Sequence, residues 1–300
     1  MTFLSESGPI LKPNEDTFWE EETMAAPVVR KMTAGCGAEV LGVDLTHLSN
    51  SDMELVRQAY VDHGVIFFRD QKLTPEQHIA FAQRWGEIDI NKFFPANGQY
   101  PEIAEVRKEK EQKTNIGGGW HTDHSYDPTP AMGSILVARE LPAEGGDTLF
   151  SNMYAAYDAL SDGLKQTLST MKAVHSNALA FGAGGFYKNS DQAGGFKGEN
   201  LVGQTVHPVV ITHPLSGRKA LYVNPGFTTH FEGWTPLESR PLLDMLYAHA
   251  VKPEFTCRFQ WRDGSVAFWD NRATWHYAVN DYHGERRLLH RITIGGCALN

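Results

Sequence analysis

Short apolar runs separated by polar turns dominate the chain. "AEVLGVDL", "VIFFRD", "GSILVAR", "TVHPVVIT", "KALYVN", "FTCRFQW", "SVAFWDN" and "LLHRITIGG" are rich in β-branched and aromatic residues and predict strands. Helical spacing appears in fewer places. Leu55, Val56, Ala59 and Tyr60 form one apolar face, and Leu242, Leu243, Leu246 and Tyr247 form another. Ser51–Glu54, Thr74–Gln77 and Thr235–Glu238 each place a hydroxyl three residues before Glu or Gln, which predicts capped helix starts there. A further helix is expected over about 153–174. Strands and helices do not alternate strictly and no repeat of 20–50 residues is present. The expected fold class is α+β, an antiparallel barrel or jelly roll with helices packed outside.

Composition narrows the function. The chain has 300 residues, 41% of them hydrophobic, and a formal net charge of −9. An acidic surface argues against a phosphate-backbone partner. No apolar run reaches membrane-spanning length. The first 25 or so residues carry a cluster of acids in place of a basic start and an apolar stretch. They read as a loosely attached arm and not a secretory signal. Cys36, Cys257 and Cys297 have no close spacing. An odd, unpatterned set suits a reducing compartment, so a cytoplasmic enzyme is expected. Residues 182–204 hold seven glycines. They read either as a flexible surface loop or as an active-site lid, and no nucleotide-binding glycine pattern is present.

The candidate chemistry starts at "GGGWHTDHS", residues 117–125. On an extended strand His121 and Asp123 point to one face, and Thr122 and His124 to the other. The pair is either half of a mixed nitrogen and oxygen metal site or a polar surface turn. Far along the chain, "SVAFWDNRATWHYAVNDYHGERRLLHRITIGG" carries His276, Arg287 and Arg291 within strand-like sequence. Two arginines at i and i+4 on a strand share a face. They read either as exposed charges or as two sockets for anions, since guanidinium is a planar fork. His283 and His290 have no ligand spacing and read as structural.

Taken together these blocks resemble the TauD/TfdA family of iron(II)- and 2-oxoglutarate-dependent dioxygenases. The resemblance runs from about Val28 to Gly296. It is carried by "WHTD" at 120–123, "ELPAEGGDTLFSNM" at 140–153, "THPLSGRKALYVNPGFTTH" at 212–230, "WDNRATWHYAVNDY" at 269–282 and "RRLLHR" at 286–291. It implies a single domain with a double-stranded β-helix (jelly-roll) core and peripheral helices. It implies that His121, Asp123 and His276 bind Fe(II), and that Arg287 and Thr148 hold the far carboxylate of 2-oxoglutarate. It further implies that Arg291 and the backbone N–H of His124 face the acidic group of the primary substrate, and that O2 is the second cosubstrate. Hydroxylation of a small carboxylate, sulfonate or sulfate would be coupled to succinate and CO2 formation, with C–O or C–S cleavage where the product is unstable. Family members are often dimers or tetramers, so a homo-oligomer is expected.

The pattern departs from taurine users in one region. Where they carry histidine and tyrosine, "WGEIDINKFFP" presents Asn91 and Phe94, and "IGGG" at 116–119 replaces an asparagine. "VHSNALAFG" at 174–182 resembles the aryloxyalkanoate-cleaving branch, with Phe93, Phe94 and Phe181 as candidate pocket walls. An apolar or aryloxyalkanoate-like acid is therefore the leading substrate expectation, and a taurine or alkylsulfonate the alternative. A metal-binding jelly-roll hydrolase without redox chemistry is the expectation from a different class.

Overall fold

The computed structural model describes residues 26–195 and 203–300. The expected arm at 1–25 lies outside these residues, as does part of the glycine-rich segment. The described chain is mixed α and β and rich in sheet. A nine-stranded sheet runs in the order Val28–Lys31, Ala38–Leu41, Val65–Phe68, Val266–Asp270, Gly133–Glu140, Arg287–Ile294, Tyr100–Lys108 and Ala96–Asn97, with Ile88–Asp89 also paired to Arg287–Ile294. All pairs are antiparallel except Ala38–Leu41 with Val65–Phe68. A three-stranded sheet orders Thr256–Phe259, Thr148–Asn152 and Thr274–Ala278.

Continuous apolar strands in the large sheet feed two cores, because successive side chains point to opposite faces. Ile66, Phe68, Ile135, Val137, Val266, Phe268 and Ile292 pack with the helices Asn50–His63 and Pro75–Gln83. Val65, Phe67, Leu136, Ala138, Ala267, Trp269 and Leu289 face inward onto Phe150, Cys257 and Phe259 of the small sheet. Arg287 and Arg291 share that inward face with Leu289, so the alternation that buries leucine also buries both guanidinium groups.

The capping boxes at Thr74 and Thr235 form as expected, each followed by proline. The first helix differs. It begins two residues earlier than the 51–54 box predicts, because the Ser49 hydroxyl accepts from Asp52 N–H and donates to the Asp52 carboxylate. The expected 153–174 helix is two short helices, Met153–Asp158 and Asp162–Leu168, and a strand, Lys172–Ser176. Ser161 restarts the helix as a new N-cap. Lys172–Ser176 then finds strand partners on both sides, Gln204–Pro208 and Thr228–Phe231, which override its local preference. "TVHPVVIT" divides between two sheets at Pro208, which has no N–H with which to continue a ladder. No helix among the described residues is long and apolar enough to cross a membrane.

His78 of Pro75–Gln83 is fully buried with neither ring nitrogen hydrogen-bonded. Burial first, then Arg139 and His290, lower its pKa to about 3; burial and Arg139 lower that of His290 to about 4. Both rings are neutral in the fold and titrate near 6.5 when unfolded. Between those values the unfolded chain binds more protons, so stability falls as pH drops from about 6.5 toward 4. Melting temperatures measured over that window should decline on the acid side, and His78→Leu should make the decline shallower.

Candidate active site

Backbone pairing brings the candidate ligands together. His121 and His276 form an isolated antiparallel bridge, with His121 N–H bonded to the His276 carbonyl at 3.1 Å and the reverse bond at 2.8 Å. Their rings lie 4.1 Å apart between centroids. The strand expected across 121–124 stops at that bridge. His124 takes φ +59°, the chain turns, and this turn aims the Asp123 carboxylate back between the two rings. His121 Nε2 lies 3.7 Å from one Asp123 oxygen and His276 Nε2 lies 3.8 Å from the other. The three residues offer donor atoms all within 4.8 Å of one another.

His121 Nδ1 lies 2.7 Å from the Gly119 carbonyl, which can only accept, so Nδ1 is the donor and Nε2 is the nitrogen turned toward the cluster. Burial, then His121, holds His276 well below the usual imidazole range, so that ring is neutral. Burial alone would raise the Asp123 carboxyl. Arg291, then His276 and His121, hold it well below the ordinary carboxylate range. Thr122 points the other way, as expected, and its hydroxyl is tied to the Asn271 carbonyl. His124 also faces away from the cluster, with Nδ1 2.9 Å from Asp127. Gly226 is confined by the same site: a Cβ there would sit 2.7 Å from that of His121.

The cluster opens into a cavity of about 420 Å³ whose walls include Phe93, Phe94, Phe181, Thr148, Arg287 and Arg291. The two arginines differ. Arg287 is 4% exposed, and its Nε and one amino group have no hydrogen-bond partner. The Tyr282 hydroxyl is bonded to it, and burial lowers its pKa. Arg291 was expected to present a free fork. Instead one of its amino groups lies 2.9 Å from Asp123 and donates at 2.9 Å to Ser134, leaving Nε unpartnered. Asn91 reaches the cavity wall, but its side-chain oxygen accepts from the N–H groups of Phe93 and Phe94 at 2.9 Å each. It closes a turn, so only its amide NH2 remains for a ligand. His290 is held by Arg139 at 3.0 Å and His283 is exposed, in line with structural roles.

Several contributors carry no sequence signal. Ser134 is fully buried under Asp123, yet sits in an ordinary apolar run. Trp269 is buried 4.7 Å from His276, with its indole N–H unpaired. The glycine-rich segment does reach the cavity. Phe186 and Tyr187 line it, and the Tyr187 hydroxyl accepts from Gly117 N–H at 2.7 Å; just before the segment, Phe181 stacks on Phe93 at 4.6 Å.

Two histidines and one carboxylate beside an open cavity are the donor set of non-haem iron(II) oxygenases, softer than a calcium or magnesium site and poorer in sulfur than a structural zinc site. The family model "Taurine catabolism dioxygenase TauD, TfdA family" matches residues 29–293, and the chain belongs to that family of Fe(II)- and 2-oxoglutarate-dependent dioxygenases. It is 36% identical over 273 residues to an alkylsulfatase of Acinetobacter baylyi, covering 89% of this chain and 84% of the relative. It is 34% identical over 274 residues to an alpha-ketoglutarate-dependent sulfate ester dioxygenase of Pseudomonas putida, covering 89% of each. A crystal structure of a putative alpha-ketoglutarate-dependent taurine dioxygenase from Burkholderia xenovorans superposes with a TM-score of 0.78 at 36% identity, covering 91% of this chain and 94% of that one. The enzyme is thus an oxidoreductase, and the hydrolase expectation is set aside.

Proposed function

We propose that His121, Asp123 and His276 hold the iron, and that Arg287 with Thr148 binds the far carboxylate of 2-oxoglutarate. The primary substrate is then an organic acid with an apolar body. The observation that carries this reading is Arg287. A buried guanidinium with unpartnered N–H groups, facing the same cavity as three convergent metal donors, needs an anion there. Once bound, iron supplies O2 activation driven by oxidative decarboxylation of 2-oxoglutarate. The chain's own part is to bind, orient and exclude water. The large and three-stranded sheets that enclose the site are read as the two halves of a double-stranded β-helix within one domain.

Arg291 neutralises Asp123 and keeps Nε for the acid of the substrate, with the backbone N–H of His124 on the other side. Phe93, Phe94 and Phe181 then receive the apolar body. Sulfate esters fit this division, as do aryloxyalkanoates, and both place a carbon bonded to oxygen next to the acid. Each buried CH2 contributes about 0.8 kcal/mol, so a hydrocarbon body outweighs the polar contacts that Asn91 and Phe94 do not offer a small amine. Side-by-side kcat/KM values for an alkyl sulfate, a phenoxyalkanoic acid and taurine should place taurine last. A preference for taurine would overturn the substrate reading. Succinate should appear in step with oxidised substrate, and turnover without succinate would overturn the cosubstrate assignment.

A further inference from the structure

Thr148 and Arg287 are both buried, and both touch one residue that belongs to neither the metal cluster nor the substrate walls. Trp261 donates its indole N–H to Thr148 Oγ1 at 2.9 Å. The Arg287 guanidinium carbon lies 5.7 Å from the Trp261 ring and 5.9 Å from that of Tyr282. Trp261 in turn packs edge-on against Phe259 at 4.9 Å, which ties it to the strand beside Thr148.

The chemistry of the donors gives this contact a direction. An indole N–H can only donate, and a threonine hydroxyl has one proton and two lone pairs. Thr148 must therefore accept from Trp261, which fixes one lone pair and leaves its proton to point elsewhere. No acceptor for that proton is present among the described residues. The opening it faces is the cavity where Arg287 also has unpartnered N–H groups. We infer that Trp261 is a positioning residue for 2-oxoglutarate: by donating to Thr148 it commits the threonine proton to the cosubstrate's far carboxylate and walls one side of Arg287. This rests on the assignment of Thr148 and Arg287 above.

The test is a double-mutant cycle read by binding. Iron(II)-loaded wild-type enzyme, Trp261→Phe, Thr148→Val and the double variant are titrated anaerobically with 2-oxoglutarate by calorimetry. Trp261→Phe keeps the ring beside Arg287 and removes only the N–H. It should weaken binding about fivefold, the worth of one hydrogen bond, and raise the KM for 2-oxoglutarate with kcat at saturation unchanged. In the Thr148→Val background the same change should cost nothing more, whereas in Thr148→Ser, which keeps the hydroxyl, the loss should return. The inference is overturned if Trp261→Phe binds like wild type, or if its cost is the same with and without the hydroxyl at 148. A general loss of packing would give that second result, with kcat and melting temperature falling alike. Wild-type enzyme that does not bind 2-oxoglutarate overturns the cosubstrate assignment itself.

Discussion

Asp123→Ala should yield protein that retains no iron and turns over no substrate. The carboxylate is the sole oxygen donor of the cluster, and its charge balances the Arg291 guanidinium 2.9 Å away. Alanine removes the proposed ligand and strands that cation among buried groups. Breaking one side of such a pair costs about 3–5 kcal/mol, so the melting temperature should fall too. Asp123→Asn separates the effects: it keeps the shape and a weak oxygen donor but loses the charge, and should also fail to retain iron. His124→Ala is the contrasting variant. Its ring is bonded to Asp127 and turned from the cluster, so metal analysis of purified protein should find wild-type iron content. Iron lost from His124→Ala and retained by Asp123→Ala would refute the ligand assignment.

Arg287→Ala should raise the 2-oxoglutarate KM by roughly tenfold or more. A charge-assisted hydrogen bond to a buried group contributes about 1.5–3 kcal/mol, and each 1.4 kcal/mol is a factor of about ten. The ligand-free protein should respond in the opposite sense. Among the described residues the guanidinium has no carboxylate in pairing distance, so burying it opposes folding, and its removal should leave the apo melting temperature unchanged or higher. Addition of 2-oxoglutarate should stabilise the wild type and no longer stabilise the variant. Arg287→Lys should fall between, because an ammonium lacks the planar fork. A variant with normal 2-oxoglutarate KM and an intact thermal shift would remove Arg287 from the cosubstrate site.

How much could be read beforehand depended on what kind of constraint each residue obeys. Residues that carry donor chemistry in motif blocks were legible: His121, Asp123, His276, Thr148 and Arg287 all reach one cavity. So were long apolar strands, whose alternation needs no partner to be visible. Tyr100–Lys108 was missed because Pro101 and interspersed charges break the pattern, and its pairing with Arg287–Ile294 supplies what its own sequence lacks. Ser134 and Trp269 were invisible for another reason. A buried serine or tryptophan in an apolar strand looks like any core position until the sheet register places it beside Asp123 or His276. The same limit hid the Asp123 partner of Arg291, which lies 168 positions away in the chain but at hydrogen-bond distance in space.

The reciprocal bridge between His121 and His276 has a consequence for how such a scaffold diversifies. The spacing of the two imidazoles is set by a backbone ladder, which is indifferent to the identity of neighbouring side chains. The surfaces that would judge a substrate include Asn91 to Phe94 and Leu179 to Tyr187, which lie outside that bridge. Substitutions in those two segments can therefore change which substrates are admitted while the backbone bridge that spaces the two imidazoles is kept.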